Sequence, residues 1–245
     1  EKNEEKSFTK YRPGHADFAG SVKYNHKDLR NVLERSSARK TAIETAVGAV
    51  AKQILEEFNI RGYSRILQIG MAKEKEDFHT EIDRAKEEGD TLGGKFVIIY
   101  ENMPIGLGSY VHWDRMLDGR IAQAVMSIPA VKTVSIGNHH SYKLKGSDFH
   151  DEMFLENGKI VRETNNAGGI EGGMTNGENL QIFASMKPIP TLRKPLRTVD
   201  AATRTETEAH FERSDTCAVE ACAVVAEARI ACVLLNEILL KYGGD

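Results

Sequence analysis

Residues 28–58 read DLRNVLERSSARKTAIETAVGAVAKQILEEF, and this stretch decides the fold. It contains no proline and a single glycine, Gly48, and its apolar residues recur every three to four positions. Those residues are Ile43, Val47, Val50, Ile54 and Phe58. The spacing predicts one long helix over 28–58 with this stripe buried. Alanines around Gly48 would let other layers approach the backbone closely, so we expect a core element.

The front half of the same stretch carries charge beside the alanine-rich part. Arg35 and Arg39 lie four residues apart, with Ser36 and Ser37 between them. Residues spaced by four share one face of a helix. Two interpretations fit this spacing: a solvated face whose arginines pair with nearby glutamates, or a site for an anion.

Composition limits the class of protein. The chain has 245 residues, of which 40% are hydrophobic and 28% charged, typical of a soluble globular protein of one large or two small domains. Its net charge of −3 disfavours a nonspecific nucleic-acid binder. No run of eighteen apolar residues exists that would predict a membrane span. Cys217, Cys222 and Cys232 lack CxxC spacing, which predicts reduced, buried thiols in a cytoplasmic setting rather than a zinc site.

A rigid turn near the start presents a histidine. In the sequence RPGH, Pro13 fixes its own backbone dihedral and Gly14 frees the backbone just before His15. A lone histidine is more often structural or merely exposed than catalytic. Asp17 has two interpretations: it orients the His15 ring, or it caps a turn.

Regular elements are predicted along the rest of the chain from their apolar periodicity and turn residues. Strands are predicted at 63–69, 95–103, 131–136 and 180–185, and helices at 74–88 and 114–126. A long final helix follows Asp215, and the simplest reading of Asp215 is the N-cap of that helix. Capping remains compatible with chemistry if one carboxylate oxygen faces a site.

Two further segments have alternative interpretations. Residues 164–177, TNNAGGIEGGMTNG, form either a flexible linker or a loop whose backbone approaches an anion or a flat ring. Residues 187–191, KPIPT, hold two prolines that keep the segment extended. Such a rigid segment suits the edge of a cofactor, although it is equally common as a crossover.

Seven segments, in order, carry a resemblance to a known family. They are RPGHADFAGSVKY, LERSSAR, EGDTLGG, GLGSYVHWDRMLDGRIAQAVMSIPAVK, TNNAGGIEGGMTNGE, MKPIPTL and ERSDTCAV. Together they cover most of the chain, which resembles the chorismate synthase family. Lys40 and Glu220 depart from the family pattern, which usually has glutamate and proline there. The family also carries an upstream segment with a Gly-Glu-Ser-His-Gly motif, so the resemblance predicts a single domain over 1–245 that lacks it.

The resemblance implies a fold, a cellular location, an oligomeric state and a reaction. The fold is α+β, a β-α-β sandwich of two antiparallel sheets around a layer of long helices, in a cytoplasmic homotetramer. The reaction is the anti-1,4-elimination of phosphate from 5-enolpyruvylshikimate 3-phosphate to give chorismate. This carbon–oxygen lyase step is the last common step of the shikimate pathway to aromatic amino acids. It uses reduced FMN without net redox change, and NADPH enters only indirectly, for flavin reduction.

The same resemblance implies roles for individual residues. No metal site is predicted, because His139 and His140 have no third ligand at suitable spacing. His15 matches the proton donor to the reduced flavin, and Asp215 the carboxylate that assists proton removal at the flavin N5. Arg12, Arg39 and Arg213 match positions that hold the substrate. The positions matching FMN contacts are Arg35, Ser36, Ser37, Pro129, Ala130, Gly172, Lys187, Pro188, Ile189, Pro190, Thr191 and Arg213.

Two other classes of function stay open from sequence. One is a non-catalytic ligand-binding or assembly fragment, which would follow from a true absence of the upstream segment. The other is a flavin oxidoreductase that consumes NADPH. Against the second, no GxGxxG motif opens a strand-turn-helix unit here.

Overall fold

The computed structural model describes residues 7–243, which form an α+β fold, as the resemblance implies. The helices are α1 Asp17–Tyr24, α2 Arg30–Ser36, α3 Thr41–Glu57, α4 Phe78–Glu87, α5 Leu117–Met126, α6 Gly146–Phe149 and α7 Val219–Tyr242. The strands are β1 Arg61–Ile69, β2 Gly94–Glu101, β3 Val131–Ile136, β4 Met153–Glu156, β5 Lys159–Arg162, β6 Ile170–Glu171, β7 Met174–Thr175, β8 Leu180–Met186, β9 Arg197–Val199 and β10 Glu206–Glu208.

One four-stranded antiparallel sheet forms the base of the core, with strand order β1-β2-β8-β3. Successive side chains of a strand point to opposite faces, so Phe96, Ile98 and Tyr100 of β2 share one face, and all three are fully buried. Helix α7 packs against β1 and β2, and α5 packs against β3. The Tyr100 hydroxyl donates a hydrogen bond of 2.7 Å to the carbonyl of Glu227, which ties the sheet to α7.

Helix α3 meets α7 through its smallest residue. A Cβ placed on Gly48 would lie 2.3 Å from the Cβ of Ala228, so no larger residue fits without movement of α7. The buried residues of α3 are Gly48, Ala51 and Leu55.

The prediction of a buried Ile/Val stripe on this helix is therefore wrong. Ile43, Val47 and Val50 are 73%, 59% and 57% exposed, and Ile54 and Phe58 are exposed as well. The small-residue face allows α3 to approach α7 closely, and that contact turns the larger apolar side chains outward. Within residues 7–243, the α3/α7 layer thus carries the four-stranded sheet on one side and an exposed apolar face on the other.

The prediction of a single helix over 28–58 is also wrong, because the helix is interrupted at Ser37. Its backbone is extended, with φ −60° and ψ 137°, and its hydroxyl accepts a hydrogen bond of 3.3 Å from the Arg39 N–H. Serine side chains compete in this way with the helical hydrogen bonds of the backbone. A 3₁₀ turn, Ala38–Lys40, follows before α3 begins.

The final helix begins later than predicted, and Asp215 is not its N-cap. The N-cap is Ala218, which makes no side-chain capping bond. Upstream of it, the chain pairs with Leu92, whose N–H donates to the Thr216 carbonyl at 2.8 Å and which forms a parallel bridge with Cys217. This pairing keeps the residues just after Asp215 extended, so the helix starts only at Val219.

The remaining predicted elements are confirmed, with their ends shifted by a few residues. Strand β3 matches its predicted bounds, and a 3₁₀ turn, Lys75–Asp77, replaces the start of the predicted helix at 74–88. All three cysteines are free, but only Cys222 is buried, and burial raises the pKa of its thiol to about 12. No helix within residues 7–243 combines the length and the apolar character needed to cross a lipid bilayer.

We expect Gly48→Val to lower the free energy of unfolding by about 1–3 kcal/mol, because the added side chain would overpack the contact with Ala228. Ala49→Val is the matched control, since Ala49 is exposed on the same helix and valine there changes only helix propensity, by roughly 0.5 kcal/mol. Urea unfolding followed by circular dichroism measures both changes. Equal values for the two variants would refute the close approach.

Candidate active site

Loops from distant parts of the chain converge on one cleft of about 580 Å³. Its walls come from the RPGH turn, the α2–α3 connection, the turn before β3, the segment after β8 and the segment before α7. The predicted site residues that line it are Arg12, His15, Ser36, Ser37, Arg39, Pro129, Ala130, Lys187, Ile189, Pro190, Thr191, Arg213 and Asp215. The volume is in the range of small-molecule sites.

The segment 187–191 joins these loops through hydrogen bonds made largely by its backbone. The Lys187 N–H donates to the Ala130 carbonyl at 2.9 Å. The Ile189 carbonyl accepts from the Thr91 hydroxyl at 2.7 Å, and the Thr191 carbonyl accepts from the Ser214 hydroxyl at 3.0 Å. Prolines at alternate positions leave these carbonyls free for such partners. The segment is therefore a fixed wall of the cleft.

The Lys187 side chain lies at the wall rather than across the cleft. Its Nζ donates to the Gly14 carbonyl at 2.8 Å, which fastens the RPGH turn to the wall. Burial, together with the charge of Lys132, lowers the pKa of Lys187. Ala130, whose carbonyl accepts the Lys187 N–H, adopts φ +72°, a left-handed conformation that a non-glycine residue rarely takes. Such strained backbone clusters at ligand sites.

Arg12, His15 and Asp17 form one compact cluster at the edge of the cleft, in which Arg12 and Asp17 are buried and His15 is half-buried. Asp17 accepts hydrogen bonds from Arg12 Nε at 2.8 Å and Arg12 Nη2 at 2.9 Å, and its Oδ1 lies 2.6 Å from His15 Nδ1. Burial alone would raise the pKa of Asp17, but the hydrogen bonds and charges of His15 and Arg12 outweigh it and hold that pKa well below its ordinary value. The carboxylate is therefore ionised.

The other two arginines of the cleft are open to solvent. The Arg39 side chain is 82% exposed, and its one ion pair within residues 7–243 is a loose contact of 3.7 Å with Glu34. Arg213 is also exposed. Asp215 is exposed and lines the cleft near Arg213, since it does not cap α7.

Three predicted cofactor residues do not line this cleft. Arg35 lines a second cavity of about 520 Å³, beside Tyr24 and His26, which adjoins the cleft at Ser36. Gly172 lines a third cavity of about 540 Å³, together with residues 149–151. Pro188 belongs to the wall segment but is not part of the cleft surface. Whether these three contact a ligand stays a prediction.

The cleft also contains residues that the sequence reasoning missed. Met186, Glu212 and Ser214 line it, and Thr91 supports it from behind through the Ile189 carbonyl. Each of these residues lies inside one of the seven motifs that resemble the family, and its place in that motif is the sequence signal that could have identified it. Nothing in the sequence indicates which member of a motif faces a ligand.

The arrangement suits an anionic ligand that presents a flat or apolar part. Arg12, Arg39, Arg213 and Lys187 outnumber the cleft carboxylates of Glu212 and Asp215. Guanidinium groups bind phosphate and carboxylate in pairs of parallel hydrogen bonds. His15 supplies an imidazole, a side chain that can accept or donate a proton.

Comparison with known proteins gives one consistent result. The family described as Chorismate synthase matches residues 1–239. The chain is 54% identical to the chorismate synthase of Caldanaerobacter subterraneus subsp. tengcongensis and 53% identical to that of Thermoanaerobacter pseudethanolicus. Each alignment covers 97% of this chain and 68% of the relative. A solved structure titled "Crystal Structure of Chorismate Synthase" superposes with a TM-score of 0.79 at 39% identity, covering 94% of this chain and 72% of that one.

Proposed function

This chain belongs to the chorismate synthase family, and we propose that its cleft eliminates phosphate from 5-enolpyruvylshikimate 3-phosphate in the anti-1,4 sense to give chorismate. The resemblance of its sequence motifs is confirmed. The chain is accordingly a lyase of aromatic amino-acid biosynthesis. The observation that carries the proposal is the convergence of Arg12, His15, Arg39, Arg213 and Asp215, spread over some two hundred residues of sequence, on one cleft.

The residues of the cleft fit reduced FMN as the cofactor. The wall at 187–191 and the strained turn at Ala130 offer an edge and backbone groups to a flat ring bearing a phosphate. The Ser37 hydroxyl accepts from the Arg39 N–H and can donate its own O–H, whereas the Ser36 hydroxyl donates to the Val32 carbonyl and can offer only a lone pair. When bound, reduced FMN supplies the reduced flavin ring on which the elimination depends, without net oxidation or reduction. NADPH enters only indirectly, through reduction of the flavin.

Three arginines hold the anionic groups of the substrate. The substrate carries two carboxylates and a phosphate, and fixed cations are needed to hold these groups away from water. Arg12 is held rigidly by Asp17, and its Nη1 has no hydrogen-bond partner within residues 7–243. Arg39 and Arg213 reach the cleft from opposite ends of the sequence.

His15 and Asp215 handle protons. The His15 side chain is 18% exposed, on the side of the cleft, so the ring can pass a proton to a bound ligand. Asp215 presents a carboxylate that does not cap α7, and its oxygens can accept a proton. An acid and a base at separate points of one cleft match an elimination in which one proton leaves the substrate ring.

The proposal includes the domain organisation, the cellular location and the oligomeric state of the enzyme. We take residues 1–245 as one domain that works in the cytoplasm as a homotetramer, without nucleic acid or membrane partners. The exposed apolar side chains of α3 and of α7, among them Val47 and Leu240, support association because water-exposed apolar patches mark interaction surfaces. Sedimentation equilibrium should give four times the mass of one chain, and the mass of one chain would exclude the tetramer.

We expect His15→Ala to lower kcat by about a hundredfold or more while the fold is retained, because loss of a positioned acid–base group has this effect. The assay is anaerobic turnover with reduced FMN, and circular dichroism checks the fold. His79→Ala, on the exposed surface of α4, is the matched control and should retain full activity. Near-normal turnover of His15→Ala would remove His15 from the mechanism.

We expect Arg39→Ala to weaken substrate binding about tenfold or more, since a charge-assisted hydrogen bond contributes roughly 1.5–3 kcal/mol. Calorimetry with reduced FMN present, or KM where it reports affinity, measures the change. Arg84→Ala on α4 controls for the loss of an exposed arginine that also touches a carboxylate. If both variants bind substrate like the parent chain, Arg39 is not part of the anion site.

A further inference from the structure

Asp17 is a fully buried carboxylate that touches two residues of the proposed site at once. Its Oδ2 accepts from the Arg12 N–H at 3.1 Å and from Arg12 Nε at 2.8 Å. Its Oδ1 lies 2.9 Å from Arg12 Nη2 and 2.6 Å from His15 Nδ1. The side chain has no exposed surface, so water does not compete for these four contacts.

This geometry determines which nitrogen of His15 carries a proton. An ionised carboxylate only accepts hydrogen bonds, and a guanidinium only donates them. At 2.6 Å from Oδ1, Nδ1 must therefore donate its own N–H. The 3.0 Å approach of Arg12 Nη2 to Nδ1 is then a contact between two donors that converge on the same oxygen.

The other ring nitrogen is left for the cleft. With Nδ1 protonated, Nε2 of the neutral ring accepts a proton, and Nε2 of the imidazolium donates one. His15 lines the cleft, and Nε2 has no hydrogen-bond partner within residues 7–243. A carboxylate behind a histidine fixes both the tautomer and the direction of the ring in other enzymes.

We propose that Asp17 is a positioning residue that keeps His15 protonated on Nδ1, turns Nε2 toward the ligand, and at the same time aims Arg12 into the cleft. This inference rests on the proposed function for its catalytic meaning. Asp17 itself does not face the cleft surface. Asp17 links His15, which exchanges a proton, to Arg12, which binds an anionic group of the substrate.

A purely structural role for Asp17 is the competing explanation. Asp17 is the first residue of α1, whose N-cap, Ala16, makes no capping bond, and its carboxylate binds the Arg12 backbone N–H. A residue that only stabilises the turn would affect the stability of the fold but would leave the tautomer of His15 unconstrained. The tautomer is thus the measurement that separates the two roles.

The first test uses the unmodified chain labelled with ¹⁵N-histidine, at a pH where the His15 ring is neutral. Nuclear magnetic resonance distinguishes protonated from unprotonated ring nitrogens, and a His15→Gln spectrum assigns the His15 signals among the eight histidines. We expect a protonated Nδ1 and an unprotonated Nε2. A protonated Nε2 would overturn the proposal without any variant of Asp17.

The second test is Asp17→Asn, which keeps the size of the side chain. Two Arg12 donors converge on the Oδ2 position, so the amide oxygen should take that place and the amide NH₂ should face His15 Nδ1. The ring should then switch to a protonated Nε2, and kcat should fall by about 10²–10⁴-fold, as for a histidine held in the wrong tautomer. An unchanged tautomer with unchanged kcat would overturn the proposal.

Asp28→Asn is the matched control. Asp28 also binds an arginine through Nε at 3.0 Å and Nη2 at 2.7 Å and accepts a backbone N–H, from Phe8, but it forms no hydrogen bond with a histidine within residues 7–243. It should change stability without changing kcat or the His15 signals. If His15→Ala proves fully active while the parent chain shows a protonated Nδ1, the proposed proton role of His15 fails and the positioning of the ring and of Arg12 by Asp17 stands.

Discussion

The close contact of α3 with α7 is the constraint on which the rest of the structure depends. At Gly48 the two helices approach so closely that even a methyl group would collide with Ala228. Helix α7 in turn packs on β1 and β2, and the Tyr100 hydroxyl bonds its backbone. Because close approach selects the smallest residues, the small face of α3 is buried and the larger apolar face is turned outward. Hydrophobic periodicity assigns the bulky stripe to the core and cannot detect this preference.

The site depends on a second constraint, the extended segment at 187–191. It has no regular secondary structure of its own, yet its hydrogen bonds fasten the loops that carry Gly14, Thr91, Ala130 and Ser214. Loops generally carry function because a rigid scaffold positions them. Here one proline-stiffened segment serves as the scaffold, so the positions of His15, Arg213 and Asp215 depend on backbone hydrogen bonds and not on the sheet alone.

Much of this could be predicted from sequence, and the failures have specific causes. Strands such as β3 follow from local apolar runs, and the residues of the cleft follow from family motifs, because both signals are local. The helix break at Ser37 and the late start of α7 depend on the partners of individual backbone groups. The Ser37 hydroxyl accepts a hydrogen bond from the Arg39 N–H, and Leu92 pairs with the chain just after Asp215. Ser36 lines both the cleft and the second cavity, whereas Arg35, one position earlier on α2, lines only the second cavity, since neighbouring helical residues face different directions.

The three arginines of the cleft divide two tasks. Arg12 is buried and paired with Asp17, so its charge is largely balanced locally, and it contributes little to the net positive potential of the cleft. Its geometry, however, is already fixed, and an arginine side chain otherwise loses about 2 kcal/mol of rotamer entropy when it is ordered. Arg39 and Arg213 are exposed, keep that entropy, and supply the unbalanced charge that attracts an anion. The buried Arg12 therefore orients the bound anion, and the exposed Arg39 and Arg213 attract the anion to the cleft. Asp17 produces this difference, because its buried carboxylate both balances the charge of Arg12 and fixes its side chain.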